Sequence, residues 1–332
     1  MHTNQITRAA TALTLIASLA LSGASAGAQT SSATCSGVTA HMNGTDYADE
    51  IVVNKNGITR TSANRTSATV PLPKVGEVIS IATHAGNDTV TIEADLSVHL
   101  CVGTGENTVT STDGPTRVLS FGPLDATLGD ASNLVQAAGA ANVTLGDGHN
   151  WVNIQDDAVV TVGDGNNGIH IDKDGFVTAG DGNNYIRVYK DGFVDIGSGA
   201  NDIYTELDGT IVGGGGDNFI LMGEDADIDF SSAHAGDDEI IVDGRATIRS
   251  GGGDDTILTS ESNDIIETGP GDDVVRAGGG SDRCDSTNGA VPGPGDEYHD
   301  CEIVNSSMSL ADWHRTHGPL ERRETPGGPG RP

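Results

Sequence analysis

Apolar residues recur along this chain at a fixed distance from a glycine-rich turn. Aligned on the last residue of each turn, the copies fall at Gly86, Gly105, Ala131, Gly148, Gly165, Gly182, Gly199, Gly216, Gly236, Gly253 and Gly271. Every step from Ala131 to Gly216 is seventeen residues. Four residues after each anchor stands an apolar side chain, from Val90 through Ile169, Ile186 and Ile203 to Val275. A second often follows two residues later, as in Ile169/Ile171 and Ile186/Val188. Alternation with period two predicts a half-buried strand. A second short strand is predicted in each interval, at Val160/Val162, Val177/Ala179, Val194/Ile196, Ile211, Ile228 and Ile248. An Asp-Gly turn precedes several of these, at Asp174-Gly175, Asp191-Gly192 and Asp208-Gly209. Each period is therefore strand, turn, strand, turn. Such a unit cannot bury its own apolar face, and stacking on its neighbours does so. The expected fold is all-β: a parallel β-solenoid, of β-roll or β-helix type, with about eleven turns and a cap at each end.

Toward the C-terminus the period halves. Gly253, Ser262, Gly271 and Gly280 are nine residues apart, within GGGDDTIL, ESNDIIET, GPGDDVVR and GGGSDRCD. Both turns of a coil then carry one motif, so eighteen residues make one coil. These residues resemble the nonapeptide G-G-x-G-x-D-x-U-x of the hemolysin-type, or repeats-in-toxin (RTX), calcium-binding proteins. The similarity is strongest over about residues 236–285 and weaker back to residue 86. GTDYADEIV at Gly44–Val52 is a further echo. The resemblance implies Ca²⁺ held between successive turns by backbone carbonyls and the motif aspartate. The residues so implicated are Gly251, Gly252, Gly253, Gly269, Gly271, Gly278 and Gly280, with Asp238, Asp255, Asp264, Asp273 and Asp282. The chemistry is consistent. Calcium takes six to eight hard oxygen ligands at flexible angles, and glycine lets a turn aim its carbonyls inward. Same-side aspartates pair as Asp238 with Asp255, Asp255 with Asp273, and Asp264 with Asp282. At Asn107, Asn133, Asn150, Asn167, Asn184, Asn201 and Asn218 the same position is Asn, which tolerates the turn and brings no charge. The expectation is a rod in two parts, an Asn ladder without metal followed by a calcium-dependent section. Asp147, Asp164 and Asp181 in the middle turns are read as solvated.

Composition agrees with a thin core. Glycine accounts for 47 of 332 residues while aromatics are 4%, too few for a thick globular interior. The formal net charge of −31 argues against nucleic acid and anionic membranes as partners, and points to cations. Arg8, the apolar run Ala9–Leu21 and the small residues Ala24–Ala28 read as a secretory signal, so the mature chain is expected to be exported. No other apolar run reaches the ~18 residues of a membrane span, and no membrane insertion is expected. Cys35, Cys101, Cys284 and Cys301 then meet oxidising conditions. Three pairings are open. The local one, Cys35 with Cys101 and Cys284 with Cys301, clasps each end of the repeats. The expected organisation is a signal peptide (1–28), a strand-rich cap (29–85), an Asn-ladder solenoid (86–232), calcium-binding repeats (233–285), a disulfide-clasped closing segment (286–306) and a mostly disordered tail (307–332) holding a short helix from Ser307 to His314.

No catalytic set stands out. There is no H-E-x-x-H and no phosphate loop, and His314 and His317 lie in the polar tail. The aromatics are patterned, however. Trp151, Tyr185 and Phe219 share one outward column, and Phe176 and Phe193 share another. Either set could contact a sugar chain, with Arg187, Tyr189 and Lys190 nearby, or simply stack to stabilise the rod. The function read from the sequence is that of a secreted, non-enzymatic calcium-binding solenoid with a structural, adhesive or surface-binding role, toward a cell-surface or extracellular polysaccharide. The alternatives are a carbohydrate-active β-helix enzyme (a lyase or epimerase) and an ice- or mineral-binding face.

Overall fold

A computed structural model describes residues 35, 40–93, 95–231, 236–285 and 297–303. The signal segment, the tail with His314 and His317, and most of the closing segment lie outside these residues. Among the described residues there is no helix; the chain is a parallel β-solenoid of about twelve turns, close to the eleven expected. Two sheets, of 14 and 16 strands, run the length of the rod. One coil shows the plan. Gly168–Ile171 lies in the first sheet and Gly175–Ala179 in the second. Each pairs in parallel with the equivalent strand one turn before and one turn after.

The inward positions form one continuous core. Ile169, Ile171, Ile186, Val188 and Ile203 from the first sheet face Val160, Val177, Val194 and Ile211 from the second, all with no exposed surface. Aliphatic β-branched side chains suit this space, since each occupies one rung and touches its copies above and below. Few bulky residues are needed, because each apolar file serves two neighbouring turns. The end of the second sheet departs from the repeat. Asp49–Asn54 pairs in parallel with Thr89–Ile92 but antiparallel with Gly57–Ser62, which pairs in turn with Ser67–Val70. In the cap, Ile79–Ala82 is a strand of the first sheet, and Val78 just before it is exposed.

The step from Gly105 to Ala131 hides a change of side. Asn107 opens a strand of the second sheet, whereas Asn133 precedes one of the first. The interval of twenty-six residues is one and a half coils. Asn107 therefore does not belong to the middle ladder; it stands with Asp49 and Asp88 on the opposite side. The disulfides are Cys35–Cys101 and Cys284–Cys301, and there is no free cysteine among the described residues. The second ties the last coil to the closing strands, where Glu297–His299 pairs with Val274–Arg276 and Tyr298 Oη lies 3.0 Å from Thr268 Oγ1.

Candidate metal centre

The turn residue just before each strand builds a continuous column. In the middle of the rod each Asn Oδ1 accepts from the backbone N–H of the Asn one turn earlier. Asn184 Oδ1 takes the Asn167 N–H at 3.2 Å, and Asn201 Oδ1 takes that of Asn184 at 3.0 Å. Each Asn Nδ2 donates to the next Oδ1 and to two carbonyls of its own turn, save Asn201, which reaches only that of Gly199. For Asn184 these are Gly180 (3.2 Å), Gly182 (3.1 Å) and Asn201 (3.0 Å). All the polar atoms of a buried amide are thus satisfied without metal. The chain of amides runs from Asn133 to Asn218 and ends on Asp238, whose Oδ1 accepts from Asn218 N (2.8 Å) and Nδ2 (2.9 Å).

From there carboxylates replace amides. Asp255 Oδ1 accepts from Asp238 N–H, and Asp273 Oδ1 from Asp255 N–H, each at 2.9 Å. On the second sheet Asp264 Oδ1 accepts from Ala246 N–H (2.8 Å) and Asp282 Oδ1 from Asp264 N–H (2.9 Å). The structure brings together all three pairs named from the sequence. One oxygen of each carboxylate holds the backbone, as the Asn oxygen does. The other replaces an amide that would have donated. Asp255 Oδ2 finds the Ser250 hydroxyl. Asp264 Oδ2 is buried and closes no hydrogen bond; the Thr259 hydroxyl beside it is near enough to lower its pKa but donates to the Ala277 carbonyl (3.0 Å).

The five aspartates are 0–3% exposed. Burial, the largest cause, pushes Asp238, Asp255 and Asp264 up to about 7, and the next carboxylate in the stack adds to the shift. Carboxylates ~4.8 Å apart repel by about 1 kcal/mol in water and several times more at lower dielectric. A divalent cation would reverse that sign. The glycines complete the geometry. Gly253 and Gly269 take φ of +134° and +90°, and the carbonyl oxygens of Gly236 and Gly251 occupy the places a Cβ there would need. A side chain at either position would collide with the turn before.

These residues fit calcium by donor chemistry: hard oxygens only, a buried carboxylate oxygen without a donor, and carbonyl-lined turns. No three His, Cys, Asp or Glu side chains converge among the described residues. The carboxylates come in stacked pairs, so backbone carbonyls would have to supply the remaining ligands. An outer file was missed in the sequence. Asp237 Oδ1 accepts from Asp254 N–H and Asp254 Oδ1 from Asp272 N–H, both at 2.9 Å on the exposed rim of the same turns. The signal was present as the first Asp of each Asp-Asp pair. Asp147, Asp164 and Asp181 form a similar exposed file, with Asp164 Oδ1 accepting from Asp181 N–H at 2.8 Å, so they too serve the stack.

Parallel strands, glycine turns with a buried aspartate and an eighteen-residue coil define the class: a β-solenoid with calcium-type turns. Residues 249–284 match the model of the RTX calcium-binding nonapeptide repeat, in four copies. No curated protein and no solved structure matches the chain.

The aromatic columns are also placed. Phe176 and Phe193 stack face to face on the second sheet, with centroids 4.6 Å apart and planes at 9°. They border a groove of about 1310 Å³ beside the Asp174 and Asp191 turns. Trp151, Tyr185 and Phe219 lie on the first sheet on alternate turns, separated by Gly168 and Asp202. Arg187 lies beside them as expected, and Tyr204 and His170 join them there, which one column counted along the sequence did not reveal.

Proposed function

We propose that this protein is an exported, non-enzymatic solenoid whose C-terminal section is assembled by calcium and whose rod acts in adhesion or surface binding. The repeats supply the class; the occupied residues, the export and the adhesive role are our reading. The observation that carries it is the replacement of a satisfied Asn ladder by buried, stacked aspartates at Asp238, in the section that runs on into the matched repeats. Calcium would sit between Asp238 and Asp255, between Asp255 and Asp273, and between Asp264 and Asp282, with carbonyls from turns such as Gly251–Gly253 and Gly269–Gly271. When bound, it supplies charge neutralisation and a cross-link between turns. The motif aspartates hold the turn through Oδ1 and offer Oδ2.

The Ala9–Leu21 segment and the two disulfides support export. No described helix is long and apolar enough to cross a membrane. Calorimetric titration of the signal-free chain with calcium, after chelation, tests the reading. Saturable binding of about three ions, lost stepwise in Asp255→Asn and Asp264→Asn, is expected. Absence of binding at millimolar calcium would overturn it.

A further inference from the structure

Five rings alternate between two adjacent columns on the outward face of the first sheet. Trp151, Tyr185 and Phe219 occupy one column, and His170 and Tyr204 the other, one ring per turn over five consecutive turns. The chain has only twelve Phe, Trp and Tyr residues, and four of them are in this zigzag, with a fifth, Tyr189, at its edge. A structural aromatic ladder looks different. Phe176 and Phe193, on adjacent turns of one column, lie parallel with their faces against each other. In the zigzag, by contrast, Tyr185, Tyr204 and Phe219 are tilted at 44° and 48°, with centroids 5.5 and 5.7 Å apart. All five rings are half-buried, each partly open to solvent. Trp151 packs down over Gly168, where any Cβ would strike the indole. The glycine thus lets the ring lie flat.

Polar groups are fixed beside this strip. Arg187 lies 4.1 Å over the Tyr189 ring and bonds Glu206 at 2.7 Å. His170 packs edge-on against Tyr189 with centroids 5.0 Å apart and bonds Asp172 at 3.0 Å. Asn153 adds an amide on the same face. The guanidinium is matched by Glu206, and burial, the largest cause, lowers the His170 pKa and so disfavours its charged form. The guanidinium of the strip is thus compensated and the nearby Lys190 lies close to the Asp156 carboxylate, on a chain of net charge −31. An anionic polymer would be repelled. Aromatic faces with fixed donors and acceptors suit a ligand that is apolar on its faces and hydroxylated at its rim. The step between rings is close to one pyranose ring with its linkage.

We propose that the face from Trp151 to Phe219 is a binding platform for a neutral, linear, β-linked glycan lying along the rod. This rests on the surface-binding reading above and names its site and ligand class.

The test uses the calcium-loaded, signal-free chain carrying Trp313→Phe, so that Trp151 is the only tryptophan. Cellohexaose, mannohexaose, xylohexaose and laminarihexaose are titrated, with hexagalacturonate as the charged counterpart, and fluorescence and calorimetry are read. At least one neutral hexasaccharide should give a saturable change in Trp151 emission. Tyr185→Ala and Tyr204→Ala should each weaken it tenfold or more, while Tyr204→Phe and Phe176→Ala bind as the parent does. Circular dichroism of each variant confirms the fold. The platform is overturned if none of the four binds, if hexagalacturonate binds as well or better, or if both Tyr-to-Ala variants bind unchanged. Sedimentation with insoluble polysaccharides and intact bacterial cells separates the two readings. Retention that survives Tyr185→Ala and Tyr204→Ala leaves surface binding standing without the platform, whereas no retention of the parent removes both.

Discussion

Asp255→Asn converts one calcium-type turn into a middle-ladder turn, and its effect should change sign with conditions. Burial lifts the Asp255 carboxyl from its ordinary 3.8 to about 7 in the metal-free fold. The folded state then holds the proton more tightly than the unfolded chain does. Between about pH 4 and pH 7 unfolding releases that proton, so metal-free stability falls as pH rises through this window. Each tenfold in proton affinity is worth about 1.4 kcal/mol, so Asp255 alone can cost up to about 4 kcal/mol at pH 8 relative to pH 4. Asparagine removes the charge and keeps the Oδ1 bond to the Asp238 N–H. Its Nδ2 can reach the Gly251 and Gly253 carbonyls as Asn184 reaches Gly180 and Gly182. In chelator at pH 8 the variant should therefore be more stable than the parent by about 2–4 kcal/mol, and at pH 5 by only about 1–2 kcal/mol. With calcium at a hundred times Kd the parent gains about 2.7 kcal/mol per site, and the variant should lose the gain at its two sites. Thermal unfolding by circular dichroism, in chelator and in calcium at both pH values, reads all four corners. The reasoning fails if the variant is less stable than the parent at pH 8 in chelator. It fails equally if parent stability in chelator does not fall from pH 5 to pH 8.

Further outcomes follow from the same geometry. Asn184→Ala removes the amide that bonds the Gly180 and Gly182 carbonyls and the Asn167 N–H; it should cost about 2–4 kcal/mol regardless of calcium, by denaturant unfolding. Asn184→Asp should be tolerated better at pH 5 than at pH 8, with the melting temperature as readout. Reduction of Cys284–Cys301, seventeen residues apart, should lower stability by about 3 kcal/mol in chelator and raise the calcium needed to restore it. Gly269→Ala places a Cβ against the Gly251 carbonyl at φ +90° and should weaken calcium binding with little effect on protease resistance before Gly236.

The repeat was legible because each coil repeats its chemistry at one interval. Ile169, Ile186 and Ile203 sit where period-two alternation put them, and the Asp pairs followed from counting one coil, seventeen residues from Asp238 to Asp255 and eighteen for the other two. What was not legible has a common cause. A glycine turn does not say which of the two corners of a coil it forms, so the twenty-six-residue step moved Asn107 to the wrong column. Likewise, a column of residues says nothing about the column beside it. Tyr204 lies two positions off the Trp151–Tyr185–Phe219 file, and only the sheet shows that it fills the gap left by Asp202. Gly57–Ser62 and Ser67–Val70 carry no turn motif, so the antiparallel end of the second sheet had no signal in the repeat.

The central claim is that one rod holds a metal-independent half and a calcium-dependent half joined at Asn218–Asp238. Hydrogen exchange of the backbone, read by mass spectrometry in chelator and in millimolar calcium, tests it most directly. The account requires slow exchange over residues 133–222 in both conditions, and over 239–285 only with calcium. Uniform protection along the rod in chelator, or collapse of both halves together, would contradict it.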